Sequence, residues 1–218
     1  MLPIRGNDSI KPFYIARTEL TWEAFDPFVF RLDEEEGATA PSPGRAGSPP
    51  PDAITRPSKP YLPPDRGFGH EGFPVISVSA ENAKAYCQWL SAKSGRHYRL
   101  PTVAEWQLAC SGQVITNGAV ATTLAWLAHN SGGVPHAVGT SAPNTYGLCD
   151  MRGNVMEWCL DDKGEPVACG GCYKDAAATC TTTHANDPEW NHSDPQIPKS
   201  KWWLADGPFV GFRVVCDP

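Results

Sequence analysis

Eight cysteines, six histidines and several acidic side chains in the second half of the chain are the residues whose types could support chemistry. The cysteines, Cys87, Cys110, Cys149, Cys159, Cys169, Cys172, Cys180 and Cys216, are even in number, which permits full pairing without requiring it. The alternative is that several are small buried hydrophobes in a reducing compartment. Cys169-x-x-Cys172 has the spacing of half a zinc site or of a redox motif, yet no second pair stands at zinc spacing. Cys159 and Cys169 would face one another across a hairpin if Lys163, Gly164 and Glu165 form its loop. His70, His97, His129, His136, His184 and His192 are scattered, without a His-x-x-x-His or comparable helical spacing, so each reads as an exposed or hydrogen-bonding histidine rather than a metal ligand. The stretch from Asn144 to Leu160, N-T-Y-G-L-C-D-M-R-G-N-V-M-E-W-C-L, packs a turn, a candidate cation loop and a buried aromatic strand together. From His184 to Phe209, Trp190, Trp202 and Trp203 supply contact area, while Asp187, Asn191, Asp194 and Lys201 supply hydrogen bonds. That composition suits a peptide, glycan or protein surface. The competing reading is that the same aromatics anchor an irregular loop to the core.

The elements that must position these groups are short. Phe13 to Leu20 alternates apolar and polar residues as a half-buried strand does, and Thr21 can cap a short helix running to Phe30. Asp33 to Pro60 is rich in Pro, Gly and charge and reads as an insertion loop, because it cannot bury enough apolar area to offset its ordering entropy. Pro74 to Val78 is a short apolar strand. Ser79 then caps a helix that puts Ala83, Tyr86, Cys87 and Leu90 on one face before Gly95 ends it. Thr102 and Glu105 form a capping box for a further helix with Trp106, Leu108 and Ala109 inward. Short strands and long loops dominate from Asn154 onward, so the fold class is α+β, with two main helices and a small twisted antiparallel sheet.

Composition bounds the function classes. A chain of 218 residues that is 41% hydrophobic and 19% charged can bury one substantial core, so residues 1–218 read as one domain. Net charge −6 and the lack of a clustered basic face exclude nucleic acid as the expected partner. No apolar run reaches the roughly 18 residues of a membrane span, and Met1 to Ile10 lacks the order of a secretion signal.

Four blocks, R-L-P-T-V-A-E-W from Arg99, the Asn144–Leu160 stretch, Gly170-Gly171 and V-G-F-R-V-V from Val210, together resemble the formylglycine-generating enzyme, or sulfatase-modifying factor, family. The resemblance covers most of the chain from Phe13 to Cys216 and implies a loop-rich variant of the C-type lectin fold. Its closing strand is expected beside the N-terminal one. Family members usually begin with an additional strand that is expected to be missing here. Exported members imply disulfides from Cys87 to Cys216 and from Cys110 to Cys180, and with them an extracytoplasmic or secreted location. The resemblance also implies a calcium ion held by Asp150, Glu157 and the carbonyls of Gly153 and Val155, a set of hard oxygens appropriate to that ion. The alternative is that Asp150 caps a turn and Glu157 pairs with Arg152 or Arg213.

The oxidising enzymes of the family bind Cu(I) through two cysteine thiolates after the Gly-Gly turn and oxidise a substrate cysteine with dioxygen. Here the later thiolate falls on Cys180 and the earlier on Asp175, a hard ligand poorly suited to Cu(I). Cys172, Met156 and Phe209 replace the usual serine, tryptophan and asparagine. Cys180, Cys172 and Asp175 are therefore the catalytic candidates only if the chain is an enzyme, and neither copper nor iron is expected. The expectation is a calcium-stabilised binding or interaction module. A metal-dependent oxidoreductase with a divergent site and a structural subunit of an extracellular assembly stay open as alternatives.

Overall fold

The computed structural model describes residues 1–32, 64–112, 125–179 and 181–218. The expected insertion loop at 33–60 and Cys180 lie outside them. The described chain is α+β, built from three α-helices and two four-stranded sheets.

The first sheet contains β1 (Leu2–Ile4), β2 (Phe13–Ile15), β3 (Tyr98–Arg99) and β8 (Val215–Cys216) in the order β1-β2-β8-β3, with every pair antiparallel. The closing strand therefore lies against the N-terminal segment, as the family pattern implies. β1 precedes Phe13 and pairs with β2 as its antiparallel neighbour. The second sheet orders β6 (Thr183–Ala185), β5 (Pro166–Cys169), β4 (Met156–Leu160) and β7 (Val210–Gly211), and its β4–β7 pair is parallel. The expected single antiparallel sheet is thus two sheets, one of them mixed. Both use the V-G-F-R-V-V block: Val210–Gly211 pairs in the second sheet and Val215–Cys216 in the first. Phe212, Arg213 and Val214 carry the chain between them.

Three helices close the core. α1 (Trp22–Val29) buries Trp22, Phe25 and Phe28. In α2 (Ala80–Ser94) the Ser79 hydroxyl accepts from Asn82 N at 3.1 Å, and Gly95 ends the helix at φ 70°. α3 (Val103–Cys110) has the complete Thr102/Glu105 capping box, and Glu105 also accepts two 2.7 Å bonds from Arg99. Apolar side chains divide between two clusters. One joins α1, α2, Trp158, Trp203, Phe212 and Val214, and the other joins Phe13, Ile15, Trp106, Cys159, Cys169 and Val215. Successive residues Val214 and Val215 thus serve opposite faces, as strand geometry requires.

This alternation accounts for one correction. Cys87 and Cys216 are both buried free thiols, so the expected bridge between them is not formed. Cys87 shares its cluster with Val214, two residues before Cys216. Two residues keep a side chain on one strand face but shift it by about 6.6 Å, whereas bridged Cβ atoms stand about 3.5–4.5 Å apart. Cys110 is disulfide-bonded, and the partner expected for it, Cys180, falls outside the described residues. The β4–β5 hairpin forms, but its register sets Cys159 opposite Val167 and Cys169 opposite Glu157. These two cysteines are diagonal neighbours and free thiols.

Candidate functional site

Gly170 and Gly171, at φ 92° and 72°, turn the chain out of β5. A Cβ on Gly171 would stand 2.8 Å from Ala178 Cβ, so the position requires glycine twice over. The next turn is stapled by Asp175, whose Oδ2 accepts from Cys172 N at 2.7 Å while Asp175 N donates to Cys172 O at 3.0 Å. Asp175 O accepts from Ala128 N, and Tyr173 N donates to Asn154 O, tying the turn to two neighbouring loops. Cys172 is buried, and burial pushes its thiol up to about 12, with the Asp175 carboxylate adding to the effect. The two catalytic candidates within the described residues are therefore a turn staple and a protonated thiol.

The Asn144–Leu160 block is held by a buried polar network. Asp150, Gly153 and Asn154 all have positive φ, which curls the segment ahead of β4. A Cβ on Gly153 would lie 2.2 Å from Trp126 O, which explains the glycine. Glu157 on β4 accepts from Arg213 Nε at 2.6 Å, Arg213 Nη2 at 2.5 Å and Trp106 Nε1 at 2.7 Å. Arg213 further donates to the carbonyls of Ala16, Arg17 and Cys149. Both members of this ion pair are at most 1% exposed. Asp150 Oδ2 accepts from Gly139 N at 2.6 Å, and its Oδ1 is buried without a partner.

Glu19, which sequence reasoning did not single out, completes this centre. It is 2% exposed, with Oε1 accepting from Asn154 Nδ2 at 3.1 Å and Oε2 unpartnered. Burial, then the carboxylates of Asp150 and Glu157, push its pKa well above the usual carboxylate range, and Arg213 opposes them. A signal was available, since Glu19 has the inward parity of Phe13 and Ile15.

Of the residues expected to hold calcium, Asp150 keeps an unpartnered buried oxygen of the kind a hard cation takes, and Glu157 is engaged with Arg213 and Trp106. Its carboxylate already accepts three charge-assisted or indole bonds. Among the described residues, no three His, Cys, Asp or Glu side chains converge as a ready metal cage.

The expected binding surface is also rearranged. Trp202 and Trp203 are buried core residues: Trp202 O accepts from Ser79 N at 3.0 Å, just ahead of α2, and Trp203 packs on Trp22 and Phe25 of α1. Asn191 and Asp194 are buried too, and they brace the 191–205 loop: Asn191 bonds Ser200 O and Ala205 N, and Asp194 bonds Gln196 N and Ser200 N. Short polar side chains closing their own loop explain residues that resemble a binding surface in sequence. Lys201 remains exposed with its amine 4.5 Å from the Trp202 ring, and Trp190 remains half-buried between Trp158 and Phe209. Lys174 is exposed, with its amine 5.1 Å from the Phe209 ring and 5.4 Å from that of Tyr173. This Trp190–Phe209–Lys174 face begins one residue beyond Tyr173 and flanks the Gly-Gly turn.

Comparison with known proteins agrees with the geometry. The family model described as "Sulfatase-modifying factor enzyme 1-like domain" matches residues 5–218. A formylglycine-generating enzyme of Mycobacterium tuberculosis is 30% identical over 182 residues, covering 67% of this chain and 58% of that protein. The inactive C-alpha-formylglycine-generating enzyme 2 of Bos taurus is 32% identical over 145 residues, covering 54% and 46%. Among solved structures, PvdO from Pseudomonas aeruginosa superposes with a TM-score of 0.63 at 22% identity, over 96% of this chain and 82% of that one. The chain spans between 22% and 58% of the curated relatives it matches.

Proposed function

The chain belongs to the sulfatase-modifying factor enzyme 1-like family, and on that premise we propose that it is a binding or interaction module that has given up copper-dependent cysteine oxidation. The observation that carries this reading is Asp175. It occupies the position of the earlier copper thiolate, and its carboxylate is engaged in stapling the turn to Cys172 N. Cu(I) favours soft sulfur ligands. Cys172, with its thiol pushed up to about 12, offers little thiolate at neutral pH to take the place of the lost one. That a relative bears the name of an inactive formylglycine-generating enzyme supports the reading, since the scaffold occurs in a protein so described.

The ligand is a peptide, protein or glycan that lies on the Trp190–Phe209–Lys174 face, where half-buried rings and an exposed amine combine stacking area with a hydrogen-bond donor. One Ca²⁺ stabilises the module at the Asp150 loop, supported by the unpartnered Asp150 oxygen. An extracytoplasmic setting agrees with the disulfide at Cys110. Competition for Cu(I) against a chromophoric chelator tests the loss of the copper site. The chelator should keep the metal; stoichiometric withdrawal by the protein, lost in Cys180→Ser, would overturn the reading.

A further inference from the structure

Arg66, in the loop ahead of Phe73, is half-buried and held at φ 58°. Its Nη2 donates to Ala205 O at 2.6 Å, while its Nε is buried with no acceptor. Asp206, the residue after that carbonyl, spends both carboxylate oxygens on Ser193, accepting from its N and its Oγ at 2.6 Å each. Burial holds the guanidinium below its ordinary pKa, and the charge of Asp206 opposes the effect. A partly desolvated guanidinium bonded, among the described residues, to one main-chain carbonyl has donors to spare, and buried donors without acceptors are costly. The segment from Ala205 to Phe209 brings this cation to the same rim as Lys174. Asp206 N donates to Trp190 O at 2.8 Å, Tyr173 OH donates to Pro208 O at 3.4 Å, and Phe209 stands perpendicular to Trp190 with ring centres 5.3 Å apart. Tyr173 lies between the two cations: its ring is 6.3 Å from that of Phe68, two residues after Arg66, and 5.4 Å from the Lys174 amine.

We propose that the Trp190–Phe209–Lys174 face reads an acidic peptide, with a ligand carboxylate held by the Arg66 guanidinium and Lys174 adding a second positive charge. This rests on the binding-module reading above and names its ligand class. A planar guanidinium matches a carboxylate through two parallel N–H bonds, which fixes orientation as well as adding energy. In a chain of net charge −6, two cations left without a salt bridge on one rim give an acidic segment a local complement on an otherwise repelling surface, the pattern that sets register and specificity. A peptide suits the face better than a glycan does. Phe209 has the Lys174 amine over its ring and Trp190 perpendicular to it, so the rings offer edges and gaps for side chains rather than an open flat face for a sugar.

Calorimetry of the full chain with the blocked tetrapeptides Glu-Phe-Glu-Phe, Gln-Phe-Gln-Phe and Lys-Phe-Lys-Phe, and with a heparin oligosaccharide, tests this. The Glu peptide should bind about 10-fold or more tightly than the Gln peptide, and Arg66→Gln should erase that difference, because a hydrogen bond between charged groups is lost. Lys174→Gln should weaken the Glu peptide by less, and the control Lys163→Gln, at the far end of the β4–β5 hairpin, should leave it unchanged. Near-UV circular dichroism checks that each variant is folded. Added salt needs no variant: it should weaken the Glu peptide on wild type far more than the Gln peptide. Equal affinity for the Glu and Gln peptides, or unchanged Glu binding by folded Arg66→Gln, overturns the acidic assignment, and loss of that binding in Phe209→Ala would leave the face itself standing. Tighter binding of heparin that requires Arg66 overturns the peptide class. No binding by any probe overturns the inference, while the copper competition above still decides the loss of the copper site.

Discussion

At the scale of single residues, the buried Glu157–Arg213 pair decides how the closing block folds. Removing one partner of a buried, hydrogen-bonded pair leaves the other charge uncompensated, so Glu157→Ala or Arg213→Ala should cost about 3–5 kcal/mol in urea unfolding. A cost below 1 kcal/mol would mean that the pair is not held dry. The buried thiols give a second prediction. Cys87 and Cys172 are each raised from 9.0 to about 12 by burial. A raised pKa means that the folded state holds the proton longer than the unfolded one. The contribution is therefore complete below pH 9 and is lost as pH rises from 9 towards 12. The melting temperature should fall over that interval, and the fall should shrink in Cys172→Ala. Sequence made the pair Glu157–Arg213 visible as one of two alternatives, because acid and base types are readable. It did not make Glu19 visible as part of the same centre. The contact to Asn154 spans 135 positions, and no local pattern encodes it.

At the scale of elements, what was legible was what local chemistry dictates. The Thr102/Glu105 box, the Ser79 cap and the Gly95 stop act within a few residues and appear as read. Thr102→Ala should cost about 1 kcal/mol of stability by removing the bond to Glu105 N, measured as a shift of the urea midpoint with unchanged slope. Register and sheet assignment were not legible. V-G-F-R-V-V divides between two sheets, with Arg213 bonded to Glu157 between its two strands, and Cys216 is a free thiol two residues past the Val214 that shares a cluster with Cys87. The tryptophans divide in the same way. Trp202 and Trp203 have the composition of a surface but fill the core, because Trp203 packs on Trp22 and Phe25 of α1.

At the scale of the whole molecule, the family fold is present, and Asp175, Cys172 and Phe209, on which the proposed loss of the copper site rests, each have structural contacts. Asp175 holds a turn, Cys172 is a buried thiol and Phe209 packs on Trp190. On the proposed reading, the Trp190–Phe209–Lys174 face is the surface that contacts a partner. The most direct measurement is incubation of the Cu(I)-treated chain with a peptide carrying a sulfatase-type Cys-x-Pro-x-Arg segment under oxygen, followed by mass spectrometry. The account predicts that the peptide cysteine is unchanged while the protein stays folded. Multiple turnovers to the aldehyde, abolished in Cys180→Ser, would contradict it and make the chain a copper oxidase with a rearranged site.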